Sequence, residues 1–309
     1  MDPVERRVLD PGGVDAVRFS IVVPAWNGRA MLADCLRAVQ RETSGYDVEV
    51  IVVESSNDGA REIILSEFPA IQLISSRERL SAGAARNLGI QRSTGNFVFF
   101  VDQDCVVPHD WIARLSRFFM DTHVGAVGGS VGVRNPCNLS GMSLYFLEFF
   151  KHIPRRSGRA TPVGFLLGCN LAVRRNVLER VRFPEQTLGE DVLFSAAVRA
   201  EGFELVFVPD VVVGHWNRSG WKEFFYYNWK MGKAAAACQL QLRTRLVRPF
   251  LYFPALILLT PPLTLALILS SLLRGSLLNV LLFVLLLPMC LCGNLVWSIG
   301  FYSRVRDGN

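Results

Sequence analysis

Paired cysteines and charge are what this chain has least of. Its seven cysteines, at 35, 105, 137, 169, 238, 290 and 292, are odd in number, scattered, and include no CxxC pair. That argues against a disulfide framework or a cysteine zinc site, and for reduced thiols on the cytoplasmic side. Charged residues are only 19% of the total, and no basic run interleaved with aromatics occurs among them. Nucleic acid is therefore not an expected partner, although the net charge is +6. Residues 1–20 contain no apolar core, so no cleaved signal peptide is expected.

Apolar residues are what is there in excess. They make up 50% of 309 residues, and the mean hydropathy is +0.29. Because the excess collects near the C-terminus, the natural division is one α/β domain followed by a membrane tail. The positive balance suits an anionic membrane surface or nucleotide phosphates.

The chain is organised around residues 96–106, NFVFFVDQDCV. A Phe/Val run ending in Asp102-Gln103-Asp104 predicts a buried strand that carries two carboxylates out at its C-terminal end, the edge where open α/β sheets bind ligands. Strand alternation would set 102 and 104 on one side, so both converge on one spot. Two such carboxylates repel unless one is protonated or a cation lies between them. Mg2+ or Mn2+, completed by a phosphate-bearing substrate, answers that need. Ordinary turn residues after a strand are the plainer alternative.

Upstream, strand and helix signals alternate. Phe19–Val23 reads as a strand broken by Pro24, and 29–41 as a helix; between them Pro24-Ala25-Trp26-Asn27-Gly28 forms a loop at the carboxylate edge, where backbone amides could hold a base or ribose. Val48–Val53 repeats the pattern and ends in Glu54-Ser55-Ser56-Asn57-Asp58-Gly59. Glu54 and Asp58 can accept from ribose hydroxyls or a base N–H, while Asp58 could also simply cap the next helix. Residues 71–74 give a third strand. Leu80–Gln91, LSAGAARNLGIQ, gives a helix whose small residues permit close approach to a sheet or phosphate, with Arg86 a candidate diphosphate contact or a surface charge. The series implies a largely parallel sheet flanked by helices.

Further on, 110–120 predicts a helix and 124–133 a strand. The apolar, aromatic 139–153 is too short to cross a bilayer, and either buries against the sheet or lies at a membrane interface beside Lys151, Arg155 and Arg156. Leu188-Gly189-Glu190-Asp191 opens a helix over 192–201, whose N-terminal end favours ionised carboxylates. Residues 203–208 and 211–213 read as two short strands ending at Gly214-His215. Residues 218–240 read as an amphipathic helix with Trp221, Phe224, Phe225 and Trp229 on one side and Lys222, Lys230 and Lys233 available to phosphate or lipid, which either lies at a membrane interface or packs under the catalytic domain.

PAWNG, VESSNDG, SAGAARNLGI, DQD, GED and VVGH stand in an order and spacing that resembles the family-2 glycosyltransferases of GT-A fold, over roughly residues 19–240. The resemblance implies a Rossmann-like α/β domain with a mostly parallel sheet, a nucleotide-diphospho-sugar donor and a divalent metal. Donor binding then falls to Pro24, Ala25, Asn27, Glu54, Asp58, Arg86 and Asp102, and metal binding to Asp102, Asp104 and, as ligand or diphosphate contact, His215. Asp191 takes the place of the general base, supported by Glu190. Such transfer needs a metal to neutralise leaving phosphates and a base for the acceptor proton; with the base opposite the leaving group it inverts the anomeric carbon. Two departures matter: Glu54 stands where the family has Asp, and Gln239–Thr244 shows no QxxRW, the mark of processive members.

The expected organisation is an extension at 1–18, a catalytic domain at 19–240, two transmembrane helices within 249–300, and a tail at 301–309. The runs 249–271 and 276–299 each have about the 20 residues a span needs, and Pro261-Pro262 should kink the first. Arg243, Arg245 and Arg248 precede the pair, Arg304 and Arg306 follow it, and Arg274 alone lies between, so the positive-inside rule sets the catalytic domain on the cytoplasmic face of the cell membrane. A lipid-linked or glycan acceptor of envelope polysaccharide or glycolipid synthesis fits that site. The alternatives are a catalytically silent nucleotide-sugar or lipid-binding scaffold, and a transporter subunit, which two spans without intramembrane acids or bases make a poor fit.

Overall fold

The computed structural model describes residues 17–185, 188–244 and 258–307. The chain forms two units: residues 1–130, 159–186 and 190–214, and residues 131–158, 187–189 and 215–309.

In the first unit, β1 (Arg18–Ala25), β2 (Asp47–Glu54), β3 (Gln72–Ser75) and β4 (Phe97–Phe100) pair in the order β3-β2-β1-β4, all parallel. Helices α1 (Arg29–Thr43), α2 (Ala60–Glu67) and α3 (Ala82–Arg92) connect them, as parallel strands require. Pro24 does not break β1. It stays in register with Val53 of β2, beyond Val22, the last residue paired with β4, so its missing N–H costs that ladder nothing.

After β4 come β5 (Cys105–Val106), α4 (Trp111–Ser116), β6 (Val124–Val133), β7 (Thr161–Pro162), β8 (Leu171–Arg174), α6 (Arg175–Arg180), α7 (Glu190–Ala200) and β9 (Glu204–His215); α5 (Leu139–Phe149) belongs to the second unit. The sheet continues β4-β8-β6-β9-β5, with β7 on β9. Here the pairing is antiparallel between β4 and β8, β8 and β6, and β7 and β9. The sheet is thus mixed. The chain between β6 and β8 leaves the unit, so no helix makes a parallel crossover. The two strands expected over 203–213 are one, with Pro209 inside it.

Helix α3 accounts for its own small and polar residues. Ser81 caps it by accepting from Ala84 N–H. A Cβ on Gly89 would lie 2.3 Å from Val22 Cγ1, and one on Gly83 2.1 Å from the Pro184 carbonyl oxygen. The helix therefore touches both the sheet and the segment leading to α7.

In the second unit, α5 is almost wholly buried and packs with α8 (Trp221–Gln241) and α11 (Leu287–Asp307). The aromatics of α8 do not share one side: Phe224 and Tyr227 are buried, whereas Trp221, Phe225 and Tyr226 are exposed. Close contact with α11 rests on glycine, since a Cβ on Gly232 would meet Trp297 O at 1.9 Å and one on Gly300 would meet Trp229 O at 2.2 Å.

The tail departs from two straight spans. Residues 245–257, with Arg245, Arg248 and the start of the first apolar run, lie outside the described residues. Pro261 and Pro262 sit in the first turn of α9 (Thr260–Leu272), a position proline tolerates, rather than at a described kink. The second run is broken into α10 (Leu277–Leu285) and α11, bent by 73°. Pro288 explains the break: it has no N–H to donate to Val284 and its ring crowds that carbonyl. Among the described residues no single helix is long and apolar enough to cross a membrane, although α10 and α11 together have the length and composition.

Candidate active site

The C-terminal ends of β1, β2 and β4 bring three segments to one sheet edge. Pro24 and Ala25 end β1, opposite Val53 and Glu54. Asn27 takes a left-handed φ of 49° to turn the chain into α1. Gln103 clamps this loop: its Oε1 accepts from Trp26 N–H at 3.0 Å and its Nε2 donates to Trp26 O at 2.7 Å. Gly28 makes room for that amide, which a Cβ would meet at 2.2 Å. The Arg79 guanidinium lies 3.7 Å over the Trp26 ring.

Glu54 is buried and accepts from the Ser56 N–H and hydroxyl. Asp58 accepts from Arg29 N–H at 3.0 Å, the Ser56 hydroxyl at 3.0 Å and Ala60 N–H at 3.1 Å, so it satisfies donors at the starts of α1 and α2. Burial works to raise its pKa, but these bonds outweigh it and hold the carboxyl below its usual value. The capping role is therefore present, and it ties the β1 and β2 loops together.

The two carboxylates of DQD are not on a strand. β4 ends at Phe100, and residues 102–105 form a turn closed by Cys105 N–H donating to Asp102 O at 2.9 Å. A turn rather than strand pleating sets their directions. Asp102 accepts from Arg86 Nη2 at 2.7 Å, and Glu190 accepts from Arg86 Nη1, also at 2.7 Å. Arg86 itself is 2% exposed, so it is not a solvated surface charge. Burial opposes its charge, but Asp102 and Glu190 more than restore it. Gly168 faces the fork, and a Cβ there would lie 2.5 Å from Arg86 Cζ.

Asp191 begins α7 beside Glu190 and accepts from Val192 N–H at 2.9 Å. Its pKa is pushed up to about 7, first by burial and next by the Glu190 charge, with Arg86 acting in the opposite sense. For Asp191, desolvation and a like charge thus outweigh the favourable helix end on which the expectation of an ionised carboxylate rested.

Three thiols register the negative field of the DQD turn. Burial first, then Asp104 and Asp102, push Cys35 well up. Cys105 rises through burial, Cys169 and the same carboxylates. For Cys169 a hydrogen bond from Cys105 works downward, yet burial and the carboxylates still raise it. Two carboxylates in one turn, only one of them paired with Arg86, offer the oxygen donors a hard divalent cation prefers. His215 ends β9 at the expected position; its Nδ1 shares a hydrogen bond with Asn217 Oδ1 at 2.9 Å and its ring meets Phe149 edge-on at 5.0 Å.

Sequence reasoning missed two buried amides. Asn87 donates to Phe183 O at 2.8 Å and Glu185 Oε1 at 2.9 Å and accepts from Phe183 N–H at 3.0 Å, fastening the segment before α7 to α3. Asn170 accepts from Trp111 Nε1 at 2.9 Å and donates to Ser130 O and Val211 O, at 2.9 and 3.0 Å, joining α4, β6 and β9. Asn87 stands one residue after Arg86 on a helix of small residues, the one signal that pointed to it.

A model of the Glycosyl transferase family 2 domain matches residues 20–182. Glycosyltransferase AglE of Haloferax volcanii is 29% identical over 208 residues, 63% of this chain and 66% of AglE. The minor teichoic acid biosynthesis protein GgaB of Bacillus subtilis is 22% identical over 56% of this chain and 20% of its own. The chain thus spans less than two thirds of the length of these curated relatives. Among solved structures, mannosyltransferase PcManGT from Pyrobaculum calidifontis, in complex with GDP-Man and Mn2+, superposes with a TM-score of 0.64 over 99% of this chain and 94% of that one, at 20% identity.

Proposed function

This chain belongs to glycosyl transferase family 2, and from that membership we propose that it moves a sugar from a nucleotide-diphosphate donor to the hydroxyl of a lipid-linked or glycan acceptor at a membrane face. The observation that carries the reading is the Arg86 fork. By binding Asp102 and Glu190, each at 2.7 Å, it ties the start of α7, and with it Asp191, to the DQD turn.

Asp191 is the general base that takes the acceptor proton. A carboxylate raised toward neutrality by burial and Glu190 holds a proton more firmly than an ordinary Asp, which suits the task near pH 7. Base catalysis of this kind contributes about 10²- to 10⁴-fold. Glu190 positions Asp191 and tunes it. Single displacement with the base opposite the leaving group inverts the anomeric carbon. Asp102 and Asp104 would hold Mg2+ or Mn2+, which when bound neutralises the departing nucleotide diphosphate. The loop at 24–28 and the Glu54–Asp58 turn line the donor side.

The PcManGT complex with GDP-Man and Mn2+ supports a nucleotide-diphosphate donor used with a divalent metal. The teichoic acid relative supports an envelope polymer as the acceptor's destination. The missing QxxRW supports addition of one or few sugars. Leucines exposed along α9, α10 and α11 support attachment to lipid. The test is nucleotide-sugar turnover by purified full-length protein with Mn2+ or Mg2+. Loss of roughly 10²-fold or more is expected in both Asp104→Ala and Asp191→Ala; full activity in both overturns the assignment.

A further inference from the structure

The tail helices are built inside out. On α11, Leu291, Leu295 and Ile299 are exposed, while Asn294 and Ser298 are buried. On α9, Leu263 and Leu267 are exposed, and Thr260 shares a hydrogen bond with Ser298 at 2.5 Å. Polar groups turned inward and leucine turned outward suit hydrocarbon, not water, as the surrounding medium.

Crossing that hydrocarbon is another matter. The turn between α9 and α10 was expected on the far side of the bilayer from the catalytic domain. Instead Arg274 O accepts from Arg156 N–H at 2.9 Å, and Ser271 donates to Phe150 O. Residues 134–160 lie between β6 and β7. Their one helix has 11 residues, half of what a span needs. Residues 150–156 therefore stay on the face from which that segment starts and to which it returns, and Arg274 stays with them. The other end of α9 is held by Ser298 of α11. That part of α11 packs on α8 at Gly232, between Lys230 and Lys233, side chains that belong at headgroup depth. One end of α9 is thus tied beside Arg156 and the other beside Lys230 and Lys233, basic residues that favour headgroups, an arrangement that would lay the helix along a membrane.

We infer that α9, α10 and α11 enter the bilayer from one side only, as an in-plane, re-entrant platform seated on anionic phospholipid, and that they do not form two spanning helices. This rests on the membrane attachment proposed above and specifies its geometry. Lys151, Arg155, Arg156 and Arg274 supply the rim for lipid phosphates. Burial, and then the nearby charge of Arg274, lower the pKa of Arg155.

The test is substituted-cysteine labelling of the full chain in sealed membrane vesicles of both orientations, with a membrane-impermeant maleimide. Cys292 is replaced by Ser, a cysteine is introduced by Ser276→Cys, and the exposed native Cys137 serves as the internal reference for the side of 131–158. Labelling of both sites from the same face is the expected result. Labelling of position 276 only from the face opposite Cys137 overturns one-sided entry but leaves membrane attachment intact. Release of the protein from membranes without detergent overturns attachment itself, and this inference with it. Liposome flotation tests the lipid: binding should favour phosphatidylcholine mixed with phosphatidylglycerol over phosphatidylcholine alone. Lys151→Gln should cost about fivefold of that preference, and equal binding to both liposomes overturns the anionic seat.

Discussion

Arg86 and Glu190 meet at 2.7 Å although they stand 104 positions apart, and the contact is made by a guanidinium that is itself almost sealed from water. Breaking a buried ion pair by removing one partner typically costs about 3–5 kcal/mol. Asp102, the second partner, is a third exposed, so the lower end applies. Arg86→Met should therefore lower stability by about 3 kcal/mol, read from the urea midpoint. Arg86→Lys retains the charge but loses the two-pronged geometry. It should fold, yet lose more in kcat than in KM, because α7 is no longer tethered to the DQD turn. Wild-type kcat in Arg86→Lys would remove Arg86 from the mechanism.

Asp191 supplies a pH prediction with a definite sign. Its folded pKa, near 7, lies above the unfolded value, so the folded chain binds the extra proton between about pH 4 and pH 7. The group favours folding at the acid end of that window, and the benefit is lost as pH rises through 7. Asp191→Asn should thus unfold at a higher temperature than wild type at pH 8, and the gap should shrink toward pH 4. Activity runs the other way: kcat/KM should climb along a limb with a midpoint near 7, since the base must be unprotonated. A midpoint near 4 would disconnect Asp191 from the proton transfer.

A buried amide that serves two backbone groups is costly to remove. Asn87→Ala strands Phe183 N–H and O, at about 1–3 kcal/mol for each unsatisfied buried group. The stack of Phe183 on Phe194, with centroids 4.0 Å apart, should hold the fold together. The expected variant is folded, less stable by about 2 kcal/mol or more, and slow, with the loss in kcat. Unaltered stability would mean that Asn87 is not the fastening it looks.

Much of this site was legible in the sequence, and the reasons are physical. Asp102, Asp104, Glu190 and Asp191 stand out because charge after an apolar run, or at a helix start, is chemically conspicuous. The parallel strands β1 to β4 follow from alternating strand and helix signals. What stayed hidden depends on distant partners. Gln103 reaches Trp26 across 77 positions and Asn87 reaches Phe183 across 96, and an amide carries no mark of which backbone it will bind. The direction of Arg86 was hidden likewise, since a lone arginine reads alike whether it faces water or two carboxylates. The break in the tail was visible in Pro288, whose missing N–H outweighs the leucines on either side.

Thiol reactivity offers a final check on the field around the DQD turn. Thiolate, not thiol, attacks a maleimide. Cys35, Cys105 and Cys169 are buried, and their pKa values are raised by burial together with Asp102 and Asp104. Cys238 and Cys290 are buried as well, leaving Cys137 and Cys292 exposed. Native protein at neutral pH should therefore take up at most two maleimides, by intact mass, and all seven after denaturation. Adding Mn2+ should leave that count unchanged, yet in Asp104→Asn the rate at Cys105 should rise, because one negative neighbour is gone. Rapid labelling of Cys105 in the native wild type would mean that this thiol is not buried behind the DQD turn.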